Sequence, residues 1–488
     1  MRHAIVIGAG LGGLATALRL SLMGWKVTLV EARSRVGGRC DLIEGEGFRM
    51  DAGPTLLVMR DVLESLFADA GERLEDHLSL RQVTPNYHVH FADGSRLAFH
   101  PDVDKLAAEV EALSPGAGAG FRRLMRDAYR TYRSGRAGVL ERNYTRLADY
   151  VTSPIPPLEG LRMVTLGKLD RYLGRYFQDR RLKDAFGFQT LYLGMSPYDS
   201  PALYALLPAI EILEGLWYPE GGMGRIPEAI ARLAEAKGVM LRLQSPVGRI
   251  EHDGGQATGV RLASGERLAA DLVVCNADLP TATRNFLDFP PPARHSRLKV
   301  GMSAFVLHVG IAGKAEGLVH HNLYLPRDTA QSYQEVCEKG RVPEDLFLYV
   351  SAPSVTQPDL APEGESLYVL TMAPNLKHPL NWETEGSVLR ERMIARLERE
   401  IPDLRRRIRF ERRTAPPDYE RDLGLAWGAP FGFTHHLDQV AYFRPSNRHD
   451  RLGNLYFVGA NTHPGGGVPM VLLSAKLVTE RIAQEQGR

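Results

Sequence analysis

Cysteine is scarce in this sequence: Cys40, Cys275 and Cys337 are the three cysteines among 488 residues. An odd number of isolated cysteines offers neither a disulfide framework nor the paired spacing of a zinc site, a pattern typical of a reducing compartment. The chain also lacks an apolar run of the roughly 18–20 residues that a membrane-spanning helix needs. No signal peptide precedes the first predicted strand. We therefore expect a cytoplasmic protein, either soluble or attached peripherally to a membrane.

An excess of charge of one sign is absent as well. The chain carries 60 lysines and arginines against 58 aspartates and glutamates, a formal net charge of +2. This balance gives no indication of nucleic-acid binding. The hydrophobic share of 44% and the charged share of 24% are those of a folded globular protein. Because 488 residues exceed one compact core, we expect two or three intertwined domains.

Metal-ligand motifs are the third absence. The sequence contains no H-E-x-x-H pattern and no cluster of cysteine with histidine. Its adjacent histidines His320 and His321, in "LVHHNLYLP", are expected to point to opposite faces of a strand, where they could not share a metal ion. We predict no metal site.

A glycine motif stands near the N-terminus, in "HAIVIGAGLGGLATALRLSLMGWKVTLVEA". The apolar run at residues 4–7 predicts a buried parallel strand, and Gly8, Gly10 and Gly13 then satisfy G-x-G-x-x-G. Gly8 permits the tight turn, Gly10 lets the backbone approach a pyrophosphate, and Gly13 lets helix and strand pack closely. The next strand ends at Glu31, whose carboxylate can accept hydrogen bonds from ribose hydroxyls. These features together predict a dinucleotide site.

A second motif follows directly, in "EARSRVGGRCDLIEGEGFRMDAGPT". It resembles the E-A-R-x-x-x-G-G-R of the FAD-binding amine-oxidase-like superfamily, and residues 48–55, "FRMDAGPT", are similar to the F-x-x-D-x-G-P-T of carotenoid desaturases. The resemblance implies FAD, not NAD, as the cofactor. The cofactor-binding residues that it implies in these two motifs are Arg33, Gly38, Arg39, Gly53, Pro54 and Thr55.

The resemblance continues through the centre of the chain. "GLWYPEGGMGRIPEAIARLAEAKGV", residues 215–239, is similar to a family segment in which an aromatic run meets a Gly-Gly turn and a helix. Residues 239–278 predict strands separated by Asp-Gly and Ser-Gly turns. By resemblance, Val247 pairs with the adenine through its backbone. The strand at residues 271–276 is expected to rejoin the central sheet.

A third glycine-rich turn, "NLYFVGANTHPGGGVPMVLLSAK", stands near the C-terminus. The strand at residues 455–458 is predicted to be the last parallel strand and to lie beside the first. The following helix would direct its N-terminus at the flavin and stabilise the negative charge of the reduced ring. Asn461 and Met470 depart from the family's usual small residues. The cofactor-binding residues implied in this turn are Gly459, Asn461, Gly467, Val468, Pro469 and Met470.

These motifs predict an α/β fold. We expect a Rossmann-like FAD-binding domain assembled from an N-terminal, a central and a C-terminal segment, residues 1–86, 215–278 and 423–488. An inserted mixed α+β substrate domain, with a helical part that faces the membrane, is expected from residues 87–214 and 279–422. The apolar and basic stretch at residues 153–169 is a candidate for that membrane-facing surface.

The reaction that the resemblance implies is carotenoid desaturation. A linear polyene such as phytoene, one of its desaturation intermediates or a thirty-carbon analogue would lose a hydride to the flavin and a proton from the neighbouring carbon. Alternatives are a terminal-methyl oxidase or oxygenase of the same family, a flavin-dependent carotenoid isomerase without net redox change, and an amine oxidase. Oxygen or a membrane quinone is expected to accept the electrons, because no second nucleotide motif is present. The inner face of the membrane is the expected location.

The proton acceptor cannot be read from the sequence. Asp51 and His436 lie in motif-rich segments, as do the three candidates for catalysis, Tyr442, Arg444 and His435. Each of these residues also has a plain structural alternative.

Overall fold

The computed structural model describes residues 2–150, 152–155, 160 and 167–486. The predicted membrane-facing stretch at residues 153–169 lies mostly outside the described residues. Strands and helices are interspersed along the chain, in agreement with the predicted α/β fold. The strands, numbered along the chain, are β1 His3–Ile7, β2 Lys26–Val30, β3 Leu42–Gly45, β4 Phe48–Asp51, β5 Leu80–Gln82, β6 Tyr87–His90, β7 Arg96–Phe99, β8 Trp217–Pro219, β9 Met240–Arg242, β10 Val247–Asp253, β11 Gln256–Leu262, β12 Arg267–Ala269, β13 Leu272–Cys275, β14 Ser303–Ala312, β15 His321–Tyr324, β16 Leu348–Ser351, β17 Gly364–Ala373, β18 Ile408–Thr414 and β19 Leu455–Phe457.

The α-helices range from single turns to eighteen-residue rods. Their bounds are Leu11–Leu22, Arg60–Asp69, Val103–Leu113, Gly118–Gly135, Leu169–Leu173, Arg180–Ala185, Leu206–Leu213, Arg225–Ala236, Leu279–Asn285, Thr329–Cys337, Pro353–Thr356, Trp382–Leu397, Leu404–Arg407, Pro416–Leu423 and Val468–Glu485. None of those within the described ranges is both long and apolar enough to cross a bilayer.

A parallel sheet of five strands forms one layer, in the order β19, β13, β1, β2, β9. Its strands come from three separate stretches of the chain. The helix Leu11–Leu22 packs against the C-terminal helix Val468–Glu485 and against Arg225–Ala236. The face that the sequence predicted for Arg225–Ala236 is buried, with Ile226, Ile230, Leu233 and Ala234 each no more than 2% exposed.

The position of the last strand corrects one prediction. We expected residues 455–458 to lie beside β1, but β19 pairs with β13, with Leu455 opposite Val273. Both edges of β1 are already occupied, by β13 and by β2. The strand at residues 271–276 does rejoin the sheet beside β1, as predicted. The strand that leads into the C-terminal turn is therefore separated from β1 by β13, one strand further than predicted.

A mixed sheet of seven strands forms the second layer, in the order β18, β14, β17, β16, β15, β6, β7. Its strands pair antiparallel except for β15 and β6. One face packs on the helix Trp382–Leu397 in a cluster that includes Phe305 and Leu389. The other face, with Tyr349 and Leu370, joins the main hydrophobic core that also contains the helix Leu11–Leu22.

Three smaller sheets complete the fold. Strands β10, β11 and β12 form an antiparallel sheet whose turns contain Gly254 and Gly265, so the predicted Asp-Gly and Ser-Gly turns are confirmed. Strands β3 and β4 form a hairpin, and β5 pairs with β8. The hairpin carries the chain from the second glycine motif towards the seven-stranded sheet.

Candidate active site

The first glycine loop joins β1 to the helix Leu11–Leu22. Gly8 has φ +92°, a conformation that side chains rarely adopt. A Cβ atom on Gly13 would lie 2.0 Å from the carbonyl oxygen of Gly8, so strand and helix touch there. Gly10 precedes the helix, and within the described chain no side chain caps this helix end. Its first N–H groups therefore remain available to an anion such as a diphosphate.

Glu31 connects this loop to the central segment. Its Oε2 accepts a hydrogen bond of 2.7 Å from the Ala9 N–H, and its Oε1 accepts one of 2.9 Å from the Arg33 N–H. The Ser245 N–H donates to the Glu31 carbonyl oxygen at 2.8 Å. These bonds bring the start of β10, and with it Val247, to the side of Glu31. The predicted ribose and adenine contacts, Glu31 and Val247, thus lie together at one end of the region bordered by the two glycine motifs and the C-terminal turn, which is called the cofactor groove below.

The second glycine motif lies against the first. The Gly37 N–H donates to the Ala9 carbonyl oxygen at 2.9 Å, and a Cβ on Gly38 would lie 3.5 Å from the Gly10 Cα. The Arg33 guanidinium donates to the Gly38 carbonyl at 3.3 Å and to the Asp41 carboxylate at 2.9 Å. Arg33 therefore supports the loop, while its role as a direct cofactor contact stays a prediction.

Arg39 points towards the C-terminal turn. It donates to the Pro430 carbonyl oxygen at 2.8 Å, and burial lowers its pKa while the nearby Asp278 carboxylate opposes that shift. Asp278 in turn accepts a 2.7 Å hydrogen bond from the Asn461 side chain, and burial raises the pKa of Asp278 to about 6. Asn461 also accepts from the Phe433 N–H at 2.8 Å. Of the two positions considered for Arg39, this cluster favours one near the ring end of the cofactor over one at the diphosphate.

The C-terminal turn has three glycines in conformations that other residues rarely adopt, with φ +121° at Gly459, +145° at Gly465 and +111° at Gly467. Gly467 precedes the helix Val468–Glu485, with Pro469 in its first turn. As at Gly10, this helix end has no side-chain cap among the described residues. Val468 is 7% exposed and Met470 is half-buried. Both helix N-termini thus keep first-turn N–H donors that no described side chain caps.

His435 supports this turn. Its Nε2 accepts a 3.2 Å hydrogen bond from the Gly466 N–H, and a Cβ on Gly465 would lie 2.2 Å from the same nitrogen. Burial, with a smaller contribution from Arg444, keeps the pKa of His435 well below its ordinary value. The neutral ring therefore carries its proton on Nδ1, a buried atom without a partner among the described atoms. An orphaned donor beside an open turn fits a bound group with acceptor oxygens or nitrogens.

Arg444, one of the three candidates for catalysis, is bound to the backbone on both sides of the turn, and its role in catalysis stays a prediction. Its five N–H groups donate to five backbone carbonyl oxygens, and its side chain is fully buried. No donor is left for a substrate. The carbonyls belong to residues on both sides of the turn: Phe433, Thr434, Gln439, Ala460 and Thr462.

Tyr442 and Phe443 lie at the surface end of this segment. The two rings approach to 5.6 Å, and half of Phe443 is exposed. The third candidate, His435, touches the turn directly. The role of Tyr442 stays a prediction.

Residues 51–55 lead from the second glycine motif to the seven-stranded sheet. A Cβ on Gly53 would lie 2.2 Å from the Arg39 carbonyl oxygen, so this strand end is pressed against the motif, and Pro54 follows. The Thr55 hydroxyl and the Tyr349 hydroxyl share a 2.6 Å hydrogen bond, and Tyr349 bonds the His321 Nδ1 at 2.9 Å. Polar groups therefore line the core-facing side of the sheet where it meets the cofactor groove.

The paired histidines differ from the prediction. The ring centroids of His320 and His321 lie 4.3 Å apart, because His320 precedes β15 and is not held to the alternation of a strand. Both rings are buried, and burial lowers the pKa of His320 to about 3. In the described part of the chain, no group of three potential ligands is placed to hold a metal ion.

Asp51 is a buried carboxyl at the end of β4. It accepts hydrogen bonds from the Tyr218 hydroxyl at 2.9 Å and from the Met223 N–H at 2.7 Å. Burial raises the pKa of Asp51 to about 7 despite these two bonds. The carboxyl thereby holds the Gly-Gly turn of residues 221–224 against the second glycine motif.

A pH dependence of stability follows from Asp51. Its pKa of about 7 in the folded protein exceeds the value of about 3.9 in an unfolded chain, so the folded state binds more protons between these values and stability falls as the pH rises through that window. Asp51→Asn removes this fall. We expect the stability of the variant, relative to that of the wild type, to increase by up to about 3 kcal/mol between pH 5 and pH 8, because about two pH units of the window lie above pH 5. Urea unfolding of both proteins at pH 5 and pH 8 measures this change. A difference in unfolding free energy between variant and wild type that does not vary with pH would contradict the raised pKa of Asp51.

Two residues of this site were missed from the sequence, Asn276 and Asp278. The Asn276 side chain donates to the Gly8 carbonyl at 3.3 Å and lies over the first glycine loop. Both follow β13 directly. The available signal was their place at the carboxyl end of a predicted parallel strand, where ligands of such sheets bind.

The groove fits an elongated dinucleotide. It offers a glycine loop with an open helix end, an acidic residue for a ribose, a second open helix end about 450 residues later in the chain, and the orphaned His435 donor. An apolar sheet face with a few polar side chains adjoins the far end. This arrangement defines a dinucleotide-binding protein of the α/β class.

The comparisons with known proteins identify the family. Residues 11–483 match the family described as flavin containing amine oxidoreductase, and the chain belongs to it. It is 42% identical over 99% of its length to a zeta-carotene-forming phytoene desaturase of Myxococcus xanthus, covering 94% of that protein. It is 37% identical over 98% of its length to a phytoene dehydrogenase of Streptomyces griseus, covering 95% of it. A 4,4'-diapolycopene oxygenase of Methylomonas sp is 33% identical over 99% of the chain and 98% of its own length.

Solved structures agree on the fold. Putrescine oxidase bound to putrescine superimposes with a TM-score of 0.66 at 16% identity, over 100% of this chain and 99% of that one. An oxidoreductase from Methanosarcina mazei superimposes with a TM-score of 0.66 at 18% identity, over 98% of this chain and 100% of that one. At these identities the likeness concerns the fold alone. The chain is an FAD-dependent oxidoreductase of the carotenoid desaturase family.

Proposed function

We propose that the chain desaturates phytoene, a linear carotenoid, and so lengthens its conjugated system. The observation that carries the proposal is the 42% identity, over nearly the whole chain, to a zeta-carotene-forming phytoene desaturase. The groove described above supports it, because the residues that would hold FAD lie beside a sheet face made largely of apolar side chains. A hydrocarbon substrate requires such a face.

The residues of the chain would divide the work along the groove. FAD, when bound, supplies an acceptor for the hydride that leaves the substrate carbon. The open helix ends at Gly10 and Gly467 would hold the diphosphate and the ring, and Glu31 a ribose. Apolar side chains of the seven-stranded sheet, such as Leu370, would align the polyene and exclude water. The cofactor-binding assignments of individual residues belong to this proposal.

A membrane surface is part of the proposal, since a hydrocarbon of this kind dissolves in lipid. The helix Gly118–Gly135 supports it. Arg122, Arg126 and Arg133 of this helix line a cavity of about 600 Å³ together with the apolar Met125 and the exposed Leu213. Basic side chains beside apolar ones favour contact with anionic head groups. We propose that this face meets the inner side of the membrane, where oxygen or a quinone takes up the electrons.

The terminal oxygenase is the second candidate function. It is favoured by the similarity to the diapolycopene oxygenase of Methylomonas and by two residues at the ring end, Asn461 and Met470, that depart from the usual small residues of the family. An isomerase would share the fold and the apolar face. For an amine oxidase, the likeness is limited to the family and to the fold of structures at 16–18% identity.

The test is product analysis. FAD-loaded protein is given phytoene in liposomes with oxygen or a quinone, and the pigments are separated by chromatography. We expect products that absorb at longer wavelength, with one acceptor molecule reduced for each double bond formed. Geometric isomers alone would contradict the proposal, and incorporation of labelled oxygen gas into the product would instead indicate the oxygenase. Heat-denatured protein with the same FAD and liposomes is the matched control.

A further inference from the structure

A cavity of about 600 Å³ lies along the helix Gly118–Gly135. Sites for small molecules span about 300–1,000 Å³, so this cavity has the size of a ligand site. Four arginines of the helix line it, and within the described part of the chain its lining contains no carboxylate. The four are Arg122, Arg126, Arg130 and Arg133. A concave surface with charges of one sign attracts ions of the opposite sign, so we expect an anionic ligand.

The spacing of these arginines places them on one face of the helix. Successive arginines of the row are four, four and three residues apart in the sequence. Residues at these intervals are neighbours on a helix surface, and like charges there destabilise the helix. An anion held between the side chains offsets this repulsion. A face that only meets water gains nothing from such a row of charges.

Carboxylates outside the lining compensate part of this charge. Asp104 accepts a hydrogen bond from Arg122, and an Asp127 oxygen lies 3.5 Å from the Arg126 Nε. The Arg126 side chain nevertheless stays 72% exposed. Across the described ranges, Arg133 forms no ion pair. Because a guanidinium carries five N–H donors, the cavity keeps donors for a further acceptor.

Apolar surface adjoins the arginines. Leu213 lines the cavity and is 40% exposed, and Met125 also contributes to the lining. The residue after Leu213, Glu214, accepts a 3.2 Å hydrogen bond from the Tyr132 hydroxyl, which joins the ends of the two helices. An inorganic anion gains nothing from contact with apolar side chains, whereas an amphiphilic anion does.

We propose that this cavity binds one anionic phospholipid, with its phosphate on the arginines and the beginning of its acyl chains on Leu213. The inference rests on the membrane contact of the proposed function and names the partner of that contact. Arginine pairs with phosphate oxygens through two parallel hydrogen bonds, which give a bound phosphate a fixed place. A zwitterionic lipid brings a cation beside its phosphate, and the same arginines repel that cation. The bound lipid would hold the protein where its hydrocarbon substrate is dissolved.

A larger cavity, of about 1,000 Å³, lacks this selectivity for charge. Its lining combines lysines such as Lys299 with the carboxylates of Asp199 and Glu338. The Asp199 carboxylate is already paired, with Lys168 at 3.1 Å and with His436 at 2.9 Å. Cations and anions thus balance each other there, and only the arginine cavity selects an anion.

Titration calorimetry with a dispersed lipid tests the site without a bilayer. FAD-loaded protein is titrated with dihexanoyl phosphatidylglycerol below the concentration at which that lipid forms micelles. We expect saturable binding of one lipid per chain, with weaker binding of dihexanoyl phosphatidylcholine and of inorganic phosphate. Absence of saturable binding would overturn the proposal. Equal affinity for inorganic phosphate would also overturn it, because the ligand would then be a soluble anion and not a lipid.

Arg133→Gln removes one guanidinium from the cavity. We expect its affinity for the dispersed phosphatidylglycerol to fall about 10-fold or more, because a hydrogen-bonded charge is lost. Arg123→Gln is the matched control: Arg123 lies on the same helix and is exposed, but does not line the cavity. It should bind the dispersed lipid as the wild type does. Arg126→Gln is a second variant of the site, and equal affinities of both site variants and the control would overturn the inference.

Sedimentation with vesicles relates the site to a bilayer. A basic side chain near an anionic bilayer contributes about fivefold to affinity without any specific site. On phosphatidylcholine vesicles that contain phosphatidylglycerol, Arg123→Gln should therefore lose about fivefold at most, and Arg133→Gln about 10-fold or more. Equal losses would indicate diffuse attraction and overturn the site.

These binding measurements do not depend on turnover, so the two proposals fail separately. If the wild type binds the lipid selectively but forms no product from phytoene, the proposed function fails while the lipid site is retained. If the wild type forms product but Arg133→Gln binds lipid as tightly as Arg123→Gln, the lipid site fails while the proposed function is retained.

Discussion

Gly13→Ala is expected to abolish FAD binding and to lower the free energy of unfolding by more than about 4 kcal/mol. The added Cβ would lie 2.0 Å from the Gly8 carbonyl oxygen, a backbone atom that can move only if β1 separates from the helix Leu11–Leu22. Alanine is otherwise favoured over glycine inside a helix by about 1 kcal/mol, so any loss reports the contact and not helix propensity. Flavin absorbance of the purified protein and urea unfolding measure the two effects.

Gly10→Ala separates cofactor binding from folding. Its Cβ would lie 2.9 Å from the Asn276 amide nitrogen, the end of a side chain that can turn away. We expect the fold to persist while the methyl group blocks the approach of the diphosphate, so FAD is lost. Gly386→Ala is the control. Gly386 lies in the helix Trp382–Leu397, which packs on the seven-stranded sheet, and an added Cβ would meet a Phe305 ring atom at 3.3 Å as its nearest neighbour. Stoichiometric flavin in purified Gly10→Ala would show that the loop does not hold the diphosphate.

Arg444→Lys is expected to cost about 3–5 kcal/mol of stability and to loosen the C-terminal turn. Lysine keeps the charge, but its ammonium has three donors in place of five and cannot span carbonyls on both sides of the turn. The carbonyls left unpaired are buried, and each costs about 1–3 kcal/mol. Thermal unfolding and the affinity for FAD measure the two consequences.

The matched control for this variant is Arg448→Lys. Arg448 lies four residues further along, but its side chain is 38% exposed and pairs with Glu485 at 3.3 Å. Exposed pairs of this kind contribute about 0–1 kcal/mol, so we expect little change. A small effect of Arg444→Lys, comparable to that of Arg448→Lys, would return Arg444 to the candidates for substrate contact.

The glycine motifs were informative because they reflect local backbone requirements. A tight turn after β1, an open helix end and an acidic strand end each depend on neighbouring residues, so Gly8, Gly10, Gly13 and Glu31 could be read in order. The resemblance extended this to the family and to FAD, which the comparisons confirm. The predicted domain boundaries and the individual cofactor contacts stay predictions.

The roles of polar residues inside the core were not readable in the same way. Arg444 looked like a candidate for catalysis because it stands in a motif, yet five backbone carbonyls, 5 to 18 residues away along the chain, accept its hydrogen bonds. Glu211 stands in an apolar helix and attracted no attention. Its partners Tyr87 and Gln189 come from positions 124 and 22 residues away. Burial and pairing of this kind exist only after the layers have packed.

The sequence by itself determined the class of protein and its cofactor, since a dinucleotide fold is specified by turns and strand ends that are local in the chain. The tertiary structure decided the order of the strands, with β19 beside β13, and the contact between the His320 and His321 rings. It also decided which carboxyls are buried. A group's pKa depends on the solvent it loses and on the donors it gains, and segments far apart in the sequence supply both.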